Sequence, residues 1–284
     1  MIHLRPSRPD DIPRQRLLWE LAFGDSGAYV DNFYHNYYRP QRVLVLEEDG
    51  VVQAMTAWFD TTFHTPDGKS HKAGYLYAVA THPDCRGRGF AGRLIQYAGE
   101  YLAREHGCQA LTTVPAQSSL HNFFAANGFR ECFTHFQGKA EPAAQLLTSD
   151  LALQPVSPAE YGHIREQLLG EMAHISFPDD ALEYQAGCCQ ISGGGLYKLT
   201  TREGYALVCA EGMEDGTLLV KELLCGQNAE KMLTNTLFHL LPAFSGWFRT
   251  PGNGVNFGML KWISDESTED WNWEIRAYMG LGFD

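Results

Sequence analysis

Apolar positions recur along the chain with two periods, close to 3.6 and close to 2, and their alternation sketches the elements. Residues 10–22 read as a helix, with Asp10 or Asp11 as the cap and Pro13 in the first turn. A second, aromatic-rich helix is expected over 26–37. The Val- and Leu-rich stretch 42–48 reads as a strand, Glu48-Asp49-Gly50 as a turn and 51–63 as the return strand, which makes a hairpin. Pro66-Asp67-Gly68-Lys69 forms a further turn before a strand at 74–81. Over 89–106 the apolar positions 91, 94, 95, 98, 101 and 102 fall on one helical face, and Gly107 supplies the stop. A strand at 110–114, a short helix at 118–127 ended by Gly128, and a strand from Phe129 complete this first pattern.

Proline and glycine then cluster near 138–158, which sets an expected boundary between domains 1–140 and 155–284. Ser157 as N-cap, Pro158 at N1 and Glu160 at N3 announce a helix over 158–172. Strands are expected at 195–201, 205–211 and 217–224, a helix at 228–241, and strands at 245–249, 257–263 and 275–283. Strands, a crossover helix and strands again indicate an α/β fold with a mixed sheet.

Bulk properties narrow the function. The 284 residues are 44% hydrophobic and 20% charged, enough for two cores. No stretch of 18 apolar residues exists, so no membrane span is expected, and the first residues lack the apolar region of a signal peptide. The seven cysteines show no CxxC spacing and no grouping with histidine, which reads as free thiols in a reducing cytoplasm, with no metal and no catalytic cysteine. A net charge of −12 argues against nucleic acid. The charge is uneven: residues 1–145 carry 14 Lys and Arg against 15 Asp and Glu, residues 146–284 carry 8 against 19. The second half is thus either a solubilising acidic surface or a wall that attracts a cation.

The chemistry lies in Val79-Ala80-Thr81-His82-Pro83-Asp84-Cys85-Arg86-Gly87-Arg88-Gly89-Phe90-Ala91-Gly92, between a strand and a helix. Gly87 and Gly89 permit positive φ and close backbone approach. The helix start adds free N–H groups and the positive end of its dipole, and Arg86 and Arg88 add rim charge, so the segment suits a pyrophosphate. The Walker spacing is absent, and Gly87, Gly89 and Gly92 lack the acidic residue that closes a strand about 20 residues on in the dinucleotide fingerprint.

This string resembles the acetyl-CoA signature of the GNAT N-acetyltransferases, [RQ]-x-x-G-x-[GA] after a strand ending V-x-x-x-P, with Arg86, Gly89 and Ala91 at its defining positions. The likeness runs over about 40–135 and includes Val114-Pro115 and Phe123-Phe124-Ala125-Ala126-Asn127-Gly128-Phe129. The resemblance implies a GNAT fold in the N-terminal half, acetyl-CoA as co-substrate, pantetheine along Val79, Ala80 and Thr81, and pyrophosphate on the amides of 86–92. The second half lacks the glycine string and resembles a degenerate GNAT domain, so one cofactor site per chain is expected.

The chain departs from the family at the acid and the base. The short helix carries Phe124, placed at the cofactor, where many members have a tyrosine that protonates the leaving thiolate. The strand before the motif, Gly74-Tyr75-Leu76-Tyr77-Ala78, has no base glutamate. Tyr77 is the candidate acid, with an aromatic lining role as its alternative, while Glu47 and Glu48 read as solvated charges beside a turn. The tail, Tyr278 to Asp284, is apolar almost throughout. It is similar in that respect to the enhanced-intracellular-survival type of aminoglycoside acetyltransferase, which implies the Asp284 carboxylate as base. The resulting expectation is acetyl transfer to a primary amine of a small cationic molecule. An acetyl-CoA-binding sensor without catalysis and a protein or peptide acetyltransferase are the alternatives. A homo-oligomer stays open.

Overall fold

The computed structural model describes all residues except 141–151, 202–203, 214, 226–236, 238–239, 242–244, 265–270 and 284. Contacts divide the chain into two compact units. The first comprises Met1–Phe63, Ser70–Cys132 and Gly258–Glu274, the second His64–Lys69, Phe133–Phe257 and Ile275–Asp284. The expected division at 1–140 and 155–284 differs from this, because the chain crosses between units five times.

In the first unit the order is β1 (Ile2–Pro6), α1 (Ile12–Phe23), α2 (Gly27–Asn32), β2 (Val43–Glu48), β3 (Val51–His64), β4 (Ser70–Thr81), α3 (Phe90–His106), β5 (Ala110–Thr113) and α4 (Ser118–Ala126). β1 pairs antiparallel with β2, and β2 with β3. Asp49 and Gly50 join β2 to β3, both at positive φ, as a tight two-residue hairpin turn requires. β4 lies beside β3 and pairs in parallel with β5. The outer edge of β5 pairs antiparallel with Met259–Trp262 of β13 (Val255–Trp262).

α3 forms where the sequence places it. Leu94, Ile95, Ala98 and Leu102 are fully buried in one core with Leu44, Trp58, Leu76 and Leu111. Each such aliphatic side chain contributes about 1.5–3 kcal/mol on burial. Gly107 takes φ +66° and its N–H caps the Ala103 carbonyl. Gly74 of β4 lets α3 approach, since a Cβ there would lie 2.6 Å from Leu102 Cδ1.

The second unit holds β6 (Arg130–Ala140) from Phe133 on, β7 (Ala152–Pro155), α5 (Pro158–Leu169), β8 (His174–Ser176), α6 (Asp179–Ile191), β9 (Gly195–Thr201), β10 (Gly204–Gly212), β11 (Leu218–Cys225) and β12 (Gly246–Pro251). β7–β9, β9–β10 and β10–β11 are antiparallel, and β11–β12 is parallel. β12 then pairs antiparallel with His135–Ala140 of β6. The strand pairing of the second unit thus repeats that of the first, ending on one parallel pair and one added antiparallel strand. The added strands are exchanged in the sequence: β6 follows the first unit's α4 but belongs to the second, and β13 follows the second unit's β12 but joins the first.

Some expectations change. The helix over 26–37 becomes α2 followed by a π-helical turn at Phe33–Tyr37, because Phe33 and Tyr37 are both fully buried and the wider turn brings both inward. The strand over 275–283 reduces to single bridges, Phe133 with Ala277 and His174 with Tyr278. Gly280 and Phe283, both at positive φ, break the extended backbone there. Of the helix expected over 228–241, most lies outside the described residues, but the Leu241 N–H donates to the Leu237 carbonyl at 2.9 Å. Ser157 caps α5 as expected, accepting from the Glu160 N–H at 3.2 Å.

Candidate functional site

β4 changes character halfway along. From Ala73 to Leu76 it pairs with Ala110–Thr113 of β5, and Thr113 Oγ1 donates to the Leu76 carbonyl at 3.3 Å. β5 stops at Thr113, while β4 continues to Thr81. Ala78 takes φ +50°, rare for a residue with a Cβ, and interrupts the alternation of the strand. Beyond it Val79, Ala80 and Thr81 run without a β5 partner. Thr81 Oγ1 is buried and makes no hydrogen bond among the described residues.

The turn after β4 leads directly into α3. Gly87 and Gly89 adopt φ +77° and +74°, which explains glycine at both. The first backbone bond of α3 runs from the Arg93 N–H to the Gly89 carbonyl at 3.1 Å, and no side chain caps the helix. The amides of Phe90, Ala91 and Gly92 are therefore unused by the backbone at the positive end of a 17-residue helix. An anion with several oxygens, such as a pyrophosphate, fits this arrangement. A Cβ on Gly92 would lie 3.0 Å from Asn127 Oδ1, so glycine there lets the start of α3 meet the end of α4.

The two arginines of the turn are not equivalent. Arg88 donates to both oxygens of Glu48, at 2.6 and 2.8 Å, and its guanidinium covers the Phe90 ring at 4.5 Å. The Glu48 carboxyl is held below its usual range chiefly by that bond. Arg86 is exposed, and its guanidinium makes no hydrogen bond or ion pair with the described residues. Glu47 bonds Arg5 at 2.6 Å. Both glutamates read as solvated turn charges are therefore ion-paired, with partners 40 or more residues away in sequence.

Phe90 is 3% exposed and Phe124 4%, both in the core under α3. Phe124 packs between Phe123 and Phe129, with ring centroids at 5.2 and 5.4 Å. Only the backbone of Phe90 is placed to meet a ligand, and Phe124 presents neither a polar atom nor appreciable surface.

Tyr77 stands at the rim of a buried aromatic cluster. Its ring meets Trp19 and Phe59, both at 5.5 Å, and Tyr75 at 6.2 Å. Its phenol oxygen lies 3.4 Å from that of Tyr29 on α2, and Thr56 Oγ1 donates to its carbonyl at 3.2 Å. Tyr75 is buried while Tyr77 is half-buried, so of the two phenols on this stretch Tyr77 is the accessible one. Tyr29 is a neighbour that the sequence reading missed; its only signal was membership of the aromatic-rich segment. Asp284 lies outside the described residues. Phe283 before it is buried against Phe177 and Tyr184, with centroids at 5.2 and 5.7 Å.

All seven cysteines are free thiols, six of them buried. Burial pushes the Cys108 thiol up to about 12, which removes its nucleophilic form at neutral pH. Against the expectation of no metal-ligating group, His64, Glu166 and His174 cluster in the second unit. Among the described residues no helix is long and apolar enough to cross a membrane.

The family described as "Acetyltransferase (GNAT) domain" matches residues 3–123. Among solved structures, the chain is similar to a GCN5-related N-acetyltransferase from Kribbella flavida, at 14% identity and TM-score 0.68, covering 93% of this chain and 72% of the other. It is also similar to Eis1 from Mycobacterium abscessus, at 13% and 0.65, covering 93% and 74%. A putative acetyltransferase from Pyrococcus horikoshii matches at 13% and 0.58, covering 98% and 94%. At these identities the likeness is one of fold, and it extends over both units. No curated protein sequence matches the chain significantly.

Proposed function

We propose that the chain is an acetyl-CoA-dependent N-acetyltransferase acting on a primary amine of a small cationic molecule. The observation that carries this reading is the junction of β4 and α3. There, an unpaired strand edge at 79–81 runs into a glycine turn whose helix-start amides are unused.

Bound acetyl-CoA supplies an activated acetyl group as its thioester. The amides of Phe90, Ala91 and Gly92 and the Arg86 guanidinium hold the pyrophosphate. The edge at Val79, Ala80 and Thr81 aligns the pantetheine arm, and Thr81 Oγ1 gains a partner. Tyr77, oriented by Tyr29 and the aromatic cluster, is the candidate to protonate the departing thiolate. The amine attacks the acetyl carbonyl directly and must arrive neutral, a form that is roughly one part in 10³ of an ordinary ammonium at pH 7. The acidic second half, with 19 Asp and Glu against 8 Lys and Arg, favours a cationic acceptor.

Phe124 favours a second reading, an acetyl-CoA-binding sensor, since a buried phenylalanine has no proton to give. Thiol release from acetyl-CoA against a panel of amines and lysine peptides tests both. Release stimulated by a small cationic amine supports the enzyme, and stimulation by peptides alone would replace that substrate class. Binding without stimulated release supports the sensor.

A further inference from the structure

Apart from the glycine turn, three side chains of metal-ligating type meet within the second unit. His64 ends β3 where the hairpin tip begins, Glu166 lies on α5 and His174 opens β8. One ligand-type atom from each lies within 4.8 Å of the others. His174 is buried, and its ring stacks on that of His64 with centroids 4.9 Å apart and planes at 25°.

Hydrogen bonds determine which atoms face one another. His174 Nδ1 is 2.6 Å from the Met172 carbonyl oxygen, which only accepts, so Nδ1 carries a hydrogen. Nε2 of the same ring is 3.0 Å from Glu166 Oε2, and that oxygen already accepts from Ser176 Oγ at 2.6 Å. Nε2 thus faces a carboxylate oxygen, a contact that either a proton on Nε2 or a bound metal ion satisfies. A hydrolytic triad is a poor reading. Ser176 and Glu166 both approach Nε2, at 3.5 and 3.0 Å, whereas a triad sets the hydroxyl and the acid on opposite ring nitrogens.

We infer that His64, Glu166 and His174 bind a divalent transition-metal ion, with zinc suited to the donor set. Two imidazole nitrogens and one carboxylate oxygen are a set that zinc takes with a fourth position left for water, and iron(II) uses the same donors. Zinc bonds of about 2.0–2.1 Å at tetrahedral angles place donors about 3.4 Å apart. The His174–Glu166 pair is near this spacing, and rotation of the partly exposed His64 closes the remainder. The supporting shell is in place: Met172 orients His174, while Ser176 and Arg165, whose Nη1 is 3.5 Å from Glu166 Oε1, orient Glu166. A cavity of about 430 Å³ opens on the three residues, with Thr65, Asp67, Lys69 and Glu171 along its wall, which provides an entry path and room for the fourth ligand. The bound ion would tie the tip at 64–69 to α5 and β8. This inference is independent of the acetyltransferase reading, whose site shares none of these residues.

Calorimetric titration of the chelator-treated full chain with zinc, together with the absorption spectrum on adding cobalt(II), tests it. One ion per chain is expected, with a cobalt spectrum of nitrogen and oxygen ligation. His64→Ala and Glu166→Gln should each weaken binding at least about 10-fold, and His163→Ala, on the same helix, should not. One equivalent of zinc should raise the melting temperature of the wild type but not of His64→Ala, both having the same melting temperature in chelator. The inference is overturned by absence of binding, by affinity unchanged in His64→Ala and Glu166→Gln, or by thiolate-to-metal absorption that assigns the ion to cysteines.

Discussion

Arg88 closes a two-pronged ion pair on Glu48, 40 residues earlier in the sequence, and so anchors the glycine turn before α3 to the end of β2. Its charge is spent within the protein, and Arg86 is the arginine of the turn left for a ligand. Arg86→Ala should therefore weaken acetyl-CoA binding about 10-fold, the loss of one charge-assisted hydrogen bond. Arg88→Ala should act less, through displacement of the turn. Calorimetric dissociation constants for the two variants check the order, and a larger effect at Arg88 would reverse the assignment.

Tyr77 packs its ring against Trp19, Phe33, Phe59 and Tyr75 and can be changed without emptying the core. Tyr77→Phe keeps the ring and removes only the proton donor. If it is the acid, kcat falls about 10²-fold while acetyl-CoA affinity is unchanged. Steady-state rates with calorimetry separate this from a lining role, for which kcat would stay within a few-fold of wild type.

Arg165 and Glu222 form a buried ion pair in the second unit, 1% and 0% exposed at the side chain, with Arg165 Nε 3.0 Å from Glu222 Oε2. Arg165 also donates to the carbonyls of Ile175 and Met279, at 2.6 and 3.0 Å, and Tyr161 donates to Glu222 at 2.7 Å. Burial, reinforced by Glu222, pushes the Tyr161 phenol well up, so it remains a donor. Glu222→Ala leaves a buried guanidinium without its counter-charge and should cost about 3–5 kcal/mol in urea unfolding. The double variant Arg165→Met, Glu222→Leu should cost less than Glu222→Ala alone. A single-variant loss below about 1 kcal/mol would contradict this role.

Asp11 supplies a pH dependence. It accepts two bonds from Arg5, at 2.7 and 2.9 Å, and one from the Arg8 N–H at 2.7 Å. Although burial acts the other way, these bonds hold its carboxyl below the ordinary 3.8. Its stabilisation is thus present above that value and is lost as pH falls through the lowered one. Asp11→Asn should lower the urea midpoint at about pH 6 and flatten its decline as the pH falls below about 4. A decline identical to wild type would exclude Asp11 as a contributor.

Local chemistry made much of this readable from sequence. Asp49-Gly50, Gly107, Ser157 with Pro158, and the one-sided pattern of α3 all act within a few residues, and the structure matches each. The glycine turn was visible because it too is local. Non-local pairing was not visible. The exchange of β6 and β13 depends on strands more than 100 residues apart, and Glu48 finds Arg88 only once β2 is set beside α3. The kink at Ala78 gave no signal, since alanine is an unusual residue at positive φ. α6 was missed because it buries residues on several sides, among them Leu182, Tyr184, Gln185 and Cys188, and so lacks a clean stripe. His64 and His174 lie 110 residues apart in sequence, which hid their meeting from any spacing rule.

The central claim, that the junction of β4 and α3 holds acetyl-CoA, is tested most directly by calorimetric titration of acetyl-CoA into the wild type and Gly89→Ala. A Cβ at φ +74° costs about 1–2 kcal/mol of backbone strain and shifts the helix-start amides. The account predicts one acetyl-CoA per wild-type chain and markedly weaker binding in a folded Gly89→Ala. No binding to the wild type, or equal binding to both, would contradict it.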